Sequence, residues 1–176
     1  MEKLSAVVIC LNEARNIGRC LTSLVGVADE VVVLDAGSTD ATESICKSFD
    51  FVRFQKRSWA GYSAMDADEA LSLELKKSLL REKKQGFSGV YGLNRRTNYC
   101  GTWVRYAGWY PDYKIRVFPK AQARWTGEYV HEELTYELSL PEKALQGDLL
   151  HYSYYTHAEH RARADRFSWL TAQKMH

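Results

Sequence analysis

Two segments, LSAVVICL (Leu4–Leu11) and EVVVLDAGSTD (Glu30–Asp40), run through β-branched residues and then break at once into a polar turn. A short apolar run with almost no polar interruption is the pattern of a strand in a parallel sheet, buried on both faces. Behind the first run, NEARNIGRCLTSL carries Ile17, Leu21 and Leu24 at helical spacing. Behind the second, Gly37 marks a turn, and Asp40 and Glu43 have the spacing of a capping box that opens a helix. FVRFQ follows as a third short strand. Strand, helix, strand, helix, strand demands right-handed crossovers and so a doubly wound α/β sheet. Ligands of such sheets bind outside the carboxyl ends of the strands. That aligns Asn12, Glu13, Asp35 and Gly37 along one rim.

The stretch SAMDADEALS (Ser63–Ser72) places three carboxylates, Asp66, Asp68 and Glu69, within four positions. Acids this close repel one another, so the cluster needs something to hold. Asp66 and Asp68 are two apart and point the same way in an extended segment. Paired hard oxygen donors at a sheet rim suit Mg²⁺ or Mn²⁺. The competing reading is an acidic first turn that favours a helix dipole. Against it, the cluster precedes Ser72, the expected N-cap of the amphipathic helix LSLELKKSLLREKKQG, which stops at Gly86. An acidic motif at the rim should end a parallel strand, yet KRSWAGYSAM does not read as one. Between Gln55 and Asp66 there is too little chain for a crossover plus a strand, so a helix and a strand are missing before Asp66.

The second half changes character. GVYGLNRR, YKIRVFP, ELTYELSL and DLLHYSY are strand-like, with turn signals at Gly101, Pro119 and Pro141, and the last twenty residues read as a basic helix. The 176 residues suit one α/β domain with an antiparallel addition. A net charge of +2 is too small to argue for nucleic acid as a partner through bulk electrostatics, and none is expected. Cys10, Cys20, Cys46 and Cys100 form no CxxC pair and read as buried thiols of a reducing compartment. The opening MEKLSAVVICL imitates a signal peptide but lacks a small-residue cleavage site. No apolar run approaches the roughly 18 residues that span a bilayer, so the expected location is cytoplasmic or peripheral. Eleven Tyr and five Trp are enough to face sugars or bases as well as to fill a core.

In this order VVICLNEARNIGRCLTSL, VVVLDAGSTDAT, DADE, GWYPDYKIRVF and WTGEYVHEEL resemble the inverting glycosyltransferases of family 2. The resemblance covers nearly the whole chain. Within the family it runs toward bacterial enzymes that add glucose or heptose to the lipopolysaccharide inner core. It implies a GT-A nucleotide-binding fold, with residues 1–86 as the nucleotide-sugar half and 87–176 as the acceptor and catalytic half. It also implies some twenty further residues, a helix and a strand, ahead of the acidic motif. Their absence means either a shortened enzyme or a mobile stretch lost from the sequence as read.

Glycosyl transfer needs a seat for the nucleotide, charge relief on the leaving diphosphate, and a base for the acceptor hydroxyl. The resemblance gives the first to Asn12, Glu13, Asp35, Gly37 and Ser38, with Asp66 reaching the ribose or the metal. Asp35 and Ser38 also fit a plain turn and helix cap. Asp68 is the implied direct ligand of Mn²⁺ or Mg²⁺. His151, in LLHYSY, either completes that metal site or is a structural histidine. Glu132, in YVHEEL, is the implied general base, with Glu133 the neighbouring alternative. Trp103, Trp109 and Arg116 lie in a stretch of Arg and flat rings that suits an anionic glycolipid acceptor, with Arg116 toward the acceptor or the diphosphate; the same mixture suits single-stranded nucleic acid, or else one solvated face of a sheet. The expected partners are a UDP-linked sugar, a glycan or glycolipid acceptor, and an anionic membrane surface under the C-terminal helix. A sugar nucleotidyltransferase is the first competitor, although NEARN is not the Gly-rich phosphate loop it requires. A non-catalytic nucleotide-sugar binder is the second.

Overall fold

The computed structural model describes residues 3–56, 65–126 and 133–174. Strand β1 (Ser5–Cys10), helix α1 (Ile17–Leu24), β2 (Glu30–Asp35), α2 (Thr42–Lys47) and β3 (Val52–Lys56) alternate as the apolar pattern requires. The three strands are parallel in the order β3-β2-β1, with Cys10 opposite Asp35 and Asp35 opposite Lys56, so their carboxyl ends form one rim. Ile17, Cys20, Leu21 and Leu24 of α1 and Cys46 of α2 join Val8, Val31 and Val33 in the core. Burial is one-sided: Val31, Val33 and Asp35 are buried, whereas Ile9, Val32 and Leu34 on the other face are half-buried. The expectation of strands buried on both faces is therefore met on one face only. The capping box also fails. Asp40 instead accepts from the N–H of Thr42 (2.9 Å) and of Ala14 (3.0 Å), while Glu43 pairs with Lys47 and Lys56.

A fourth parallel strand does lead into the acidic motif, but it is a stub. β4 (Met65–Asp66) pairs with Val8 and Ile9 at the carboxyl end of β1. The path from β3 to β4 reverses direction across the sheet, so a right-handed crossover there would place its helix on the half-buried face. Only residues 57–64 join the two strands, too few for a helix and a full strand. Beside the amino-terminal half of β1 lies an apolar cleft of about 530 Å³ including its open mouth, lined among others by Ala6, Val7, Leu24, Leu79, Leu93 and Leu149.

The second sheet is mixed, as the antiparallel addition predicted. β5 (Glu69–Leu71), β11 (Glu142–Tyr154), β6 (Val90–Tyr99) and β7 (Thr102–Trp103) lie in that order, and β8 (Asp112–Val117) pairs with β6. β11 runs parallel to β6 and antiparallel to β5. A separate antiparallel pair joins β9 (Ala123–Thr126) to β10 (Glu133–Tyr136). Helix α4 (His157–Lys174) closes the described chain. Among the described residues no helix is long and apolar enough to cross a membrane.

Helix α3 (Leu73–Gln85) begins and ends as the sequence predicts, with Ser72 Oγ accepting from Leu75 N–H and Gly86 at the stop. The same hydroxyl accepts from Asp148 N–H (3.0 Å), and Ser72 N–H donates to Asp148 O (3.0 Å), which fixes the helix to β11. The close approach depends on Gly147. Its φ is +94°, and a Cβ there would stand 2.2 Å from the backbone nitrogen of Leu75. Gly147→Ala adds overpacking to a strained left-handed backbone. We expect it to lower unfolding stability by about 3 kcal/mol, read as a reduced urea midpoint with an unchanged slope.

Candidate active site

Two loops build the rim at the carboxyl ends of β1 and β2. After β1 the chain turns through Asn12 at φ +55°, a conformation Asn tolerates better than most residues. Asn12 N–H donates to Ser38 Oγ (2.8 Å), and Asn12 Oδ1 accepts from Thr39 N–H (2.8 Å). Glu13 N–H donates to Thr42 Oγ1 (2.8 Å), and its carboxylate accepts from Asn16 Nδ2 (2.8 Å). Burial pushes the Glu13 carboxyl up, against the pull of that hydrogen bond.

Asp35 ends β2 and is fully buried. It accepts from Gly37 N–H (3.1 Å), Ser38 N–H (2.9 Å), the Ser38 hydroxyl and the Cys10 thiol (3.5 Å). In this arrangement its oxygens face the turn and not the solvent. Burial alone would push its carboxyl up, but the Ser38, Cys10 and Gly37 donors outweigh burial and hold it below the ordinary range. Cys10, by contrast, is driven well above the usual thiol range by burial and by Asp35. Gly37 holds φ +107°, with open space where a side chain would stand.

The acidic segment is a turn, not the extended run the sequence suggested. Asp66 closes β4, Ala67 N–H donates to Ile9 O (3.1 Å), and Asp68 O accepts from Tyr152 N–H (2.9 Å). Asp68 is buried, and its Oδ2 lies 3.4 Å from Nε2 of His151. His151 stands opposite Glu69 in the β5–β11 ladder, and its Nδ1 is 3.4 Å from Thr97 Oγ1. Two sequence candidates far apart in the chain thus converge. Among the described residues no group of three or more His, Cys, Asp or Glu side chains converges closely enough to hold a metal unaided. One carboxylate and one imidazole nitrogen do fit a divalent cation that draws its remaining ligands from substrate phosphates and water.

Other expectations shift. Arg116, assigned to the acceptor, is mostly buried and faces inward, with Nη2 3.7 Å from Glu69 Oε1. Trp103 packs edge-on against Tyr152 (5.3 Å between ring centres), beside His151. Trp109 is exposed and lies against Tyr99 at 5.8 Å, in an aromatic group with Tyr154, His157 and His160. Cys100 is half-buried, unlike the other three cysteines. Glu132 and His131 lie outside the described residues; of Glu133 only the backbone is described, as the start of β10.

Sequence reasoning missed a clamp on the first loop. The guanidiniums of Arg15 and Arg19 stack over the rings of Tyr155 and Tyr152, at 3.2 and 3.4 Å. Arg19 also donates to Tyr155 Oη (2.7 Å), and Tyr155 bonds Asn16. Only the run of tyrosines in HYSYYTH hinted at it. It also missed Glu69, fully buried at the inner side of the turn.

The parallel α/β sheet thus carries an acidic turn at its carboxyl rim, with His151 of the second sheet beside it. Residues 5–64 match the family model described as glycosyl transferase family 2. The lipopolysaccharide core biosynthesis glycosyltransferase LpsC of Rhizobium meliloti (strain 1021) is 29% identical over 199 positions, covering 97% of this chain and 71% of LpsC. An uncharacterized glycosyltransferase of Rickettsia felis is 35% identical over 95 positions, 45% of this chain and 33% of its own length. Over residues 5–64 the chain is thus similar to glycosyltransferase family 2, and along almost its whole length to LpsC. The LpsC alignment is longer than the 176 residues of this chain, so LpsC carries residues with no counterpart here. Among solved structures, Staphylococcus aureus TarS 1–349 overlaps 61% of this chain and 38% of its own at a TM-score of 0.46 and 20% identity.

Asp35 yields a pH prediction. Its folded pKa is depressed, so its contribution is complete above the ordinary carboxyl pKa of about 4 and is lost as pH falls through the folded value. Asp35→Asn should cost about 2 kcal/mol at pH 7. It should also flatten the decline in stability below pH ~4, measured by urea titration across pH 2–7.

Proposed function

We propose that the chain transfers a sugar from a nucleotide donor, a UDP-hexose or close relative, to a lipopolysaccharide-type glycan acceptor with inversion at the anomeric carbon. The observation that carries this reading is the approach of Asp68 to His151, 3.4 Å apart, where β4 and β11 meet the rim. Asn12, Glu13 and the Gly37–Ser38 turn hold base and ribose. Asp68 and His151 seat a divalent cation, Mn²⁺ or Mg²⁺, with Asp66 beside them. That cation, when bound, supplies Lewis-acid stabilisation to the departing diphosphate. Glu132 takes the proton of the acceptor hydroxyl as its oxygen bonds to the anomeric carbon, and the bond to the diphosphate breaks on the opposite face. Trp103 and Trp109 offer flat surfaces to the acceptor. Residues 1–86 serve the donor and 87–176 the acceptor, within one unit. Arg161, Arg163 and Trp169 of α4 are exposed and suit contact with an anionic membrane face from the cytoplasmic side.

A second reading, a nucleotide-sugar binder without turnover, is favoured by the two-residue β4 and by the shortfall against LpsC. Glu132→Gln separates the two. For a transferase, release of UDP from UDP-glucose in the presence of truncated lipopolysaccharide falls at least ~100-fold, with UDP affinity unchanged. A wild-type chain that binds UDP but never releases it from any UDP-sugar supports the binder.

A further inference from the structure

Glu69 lies behind the acidic turn, and its side chain is closed to solvent. Its Oε2 accepts from Asp66 N–H (3.0 Å). Its Oε1 makes no hydrogen bond, and stands 3.7 Å from both Arg95 Nη1 on β6 and Arg116 Nη2 on β8. Arg116 Nε is also buried without a partner. Arg95 is further held by Asp112, Nη2 to Oδ2 at 2.7 Å, whereas Glu69 is the acid paired with Arg116 among the described ion pairs. Buried ions held at such distances contribute little net stability, because their desolvation offsets the attraction. Replacing the whole group, acid and arginines together, by apolar side chains would fill this space at similar or lower cost, so the charge invites a role beyond packing.

We propose that Glu69 is a positioning residue for the cation seat: it fixes the Asp66–Asp68 turn and occupies Arg116 and Arg95. Both guanidiniums approach the turn from the second sheet. Without Glu69 their charge falls on Asp66 and Asp68, and a carboxylate bonded to arginine is a poorer ligand for a cation. The hydrogen bond to Asp66 and the ladder pairing with His151 let this residue set the spacing of the seat from both sides. Glu69 itself contacts neither cation nor substrate. The inference rests on Asp68 and His151 being a metal–diphosphate seat.

The test is Mn²⁺ affinity in the presence of UDP, read from the free-Mn²⁺ electron paramagnetic resonance signal, together with melting temperature. Glu69→Gln should weaken Mn²⁺ about tenfold, as outer-shell changes do. Leu79→Ala, a buried core change on α3 outside the Asp66–Glu69 turn, should lower the melting temperature at least as much while keeping affinity within about twofold. Adding Arg116→Met to Glu69→Gln removes the competing charge and should recover most of the affinity. The inference is overturned if Glu69→Gln binds like wild type, if Leu79→Ala loses as much, or if the double variant does not recover. Should wild type bind no Mn²⁺ with UDP, the seat reading has failed. Amide exchange at Asp66 in Glu69→Ala then decides the positioning role: exchange no faster than in Leu79→Ala overturns it.

Discussion

The turn from Asp66 to Glu69 is the covalent joint between two sheets, and everything proposed for this chain depends on how it is held. On one side Met65 and Asp66 pair with β1; on the other Glu69 begins β5 and pairs with His151 of β11. Both anchors are backbone pairing, which fixes the turn's position to within the tolerance of a sheet ladder. The side chains then sort by environment. Asp68 meets His151, Glu69 turns inward to two arginines, and the loop after β1 is clamped by tyrosines of the same β11. One strand late in the chain thus organises both the Asp68–His151 pair and the loop after β1.

The shortened β4 shows how much of the sheet is needed for that joint. Two residues suffice to carry the chain to the rim, because the pairing they keep is at the carboxyl end of β1. What is lost is the other end: the amino-terminal half of β1 borders an open apolar cleft, and one face of the parallel sheet stays half-buried. Apolar surface left near water is stabilisation forgone, at about 25 cal/mol per Å². A crossover covering this face would therefore add to stability more than to the geometry of the Asp66–Glu69 turn.

Much of this was legible beforehand. The β-branched runs with their polar breaks located β1 and β2, Ser72 and Gly86 bounded α3, and the gap before Asp66 announced a defect in the sheet. Local signals failed where long-range partners decide. Asp40 looked like half of a capping box, but Ala14 and Thr42 took its oxygens. Arg116 looked free for an anionic acceptor until the β6–β8 pairing carried it to Glu69. Asp66 and Asp68 read as an extended pair because nothing local reveals that β5 begins at Glu69. His151 could not be assigned from its surroundings in sequence; only the ladder places it opposite the acidic turn.

The most direct test of the seat is the melting temperature with UDP, with Mn²⁺, and with both, for wild type and Asp68→Ala. A ligand that binds only the folded chain stabilises it by about 2.7 kcal/mol at a hundredfold excess over its dissociation constant. A UDP-induced rise that requires Mn²⁺ and disappears in Asp68→Ala is the result this account predicts. A rise that is the same without Mn²⁺, or that survives Asp68→Ala, would contradict it.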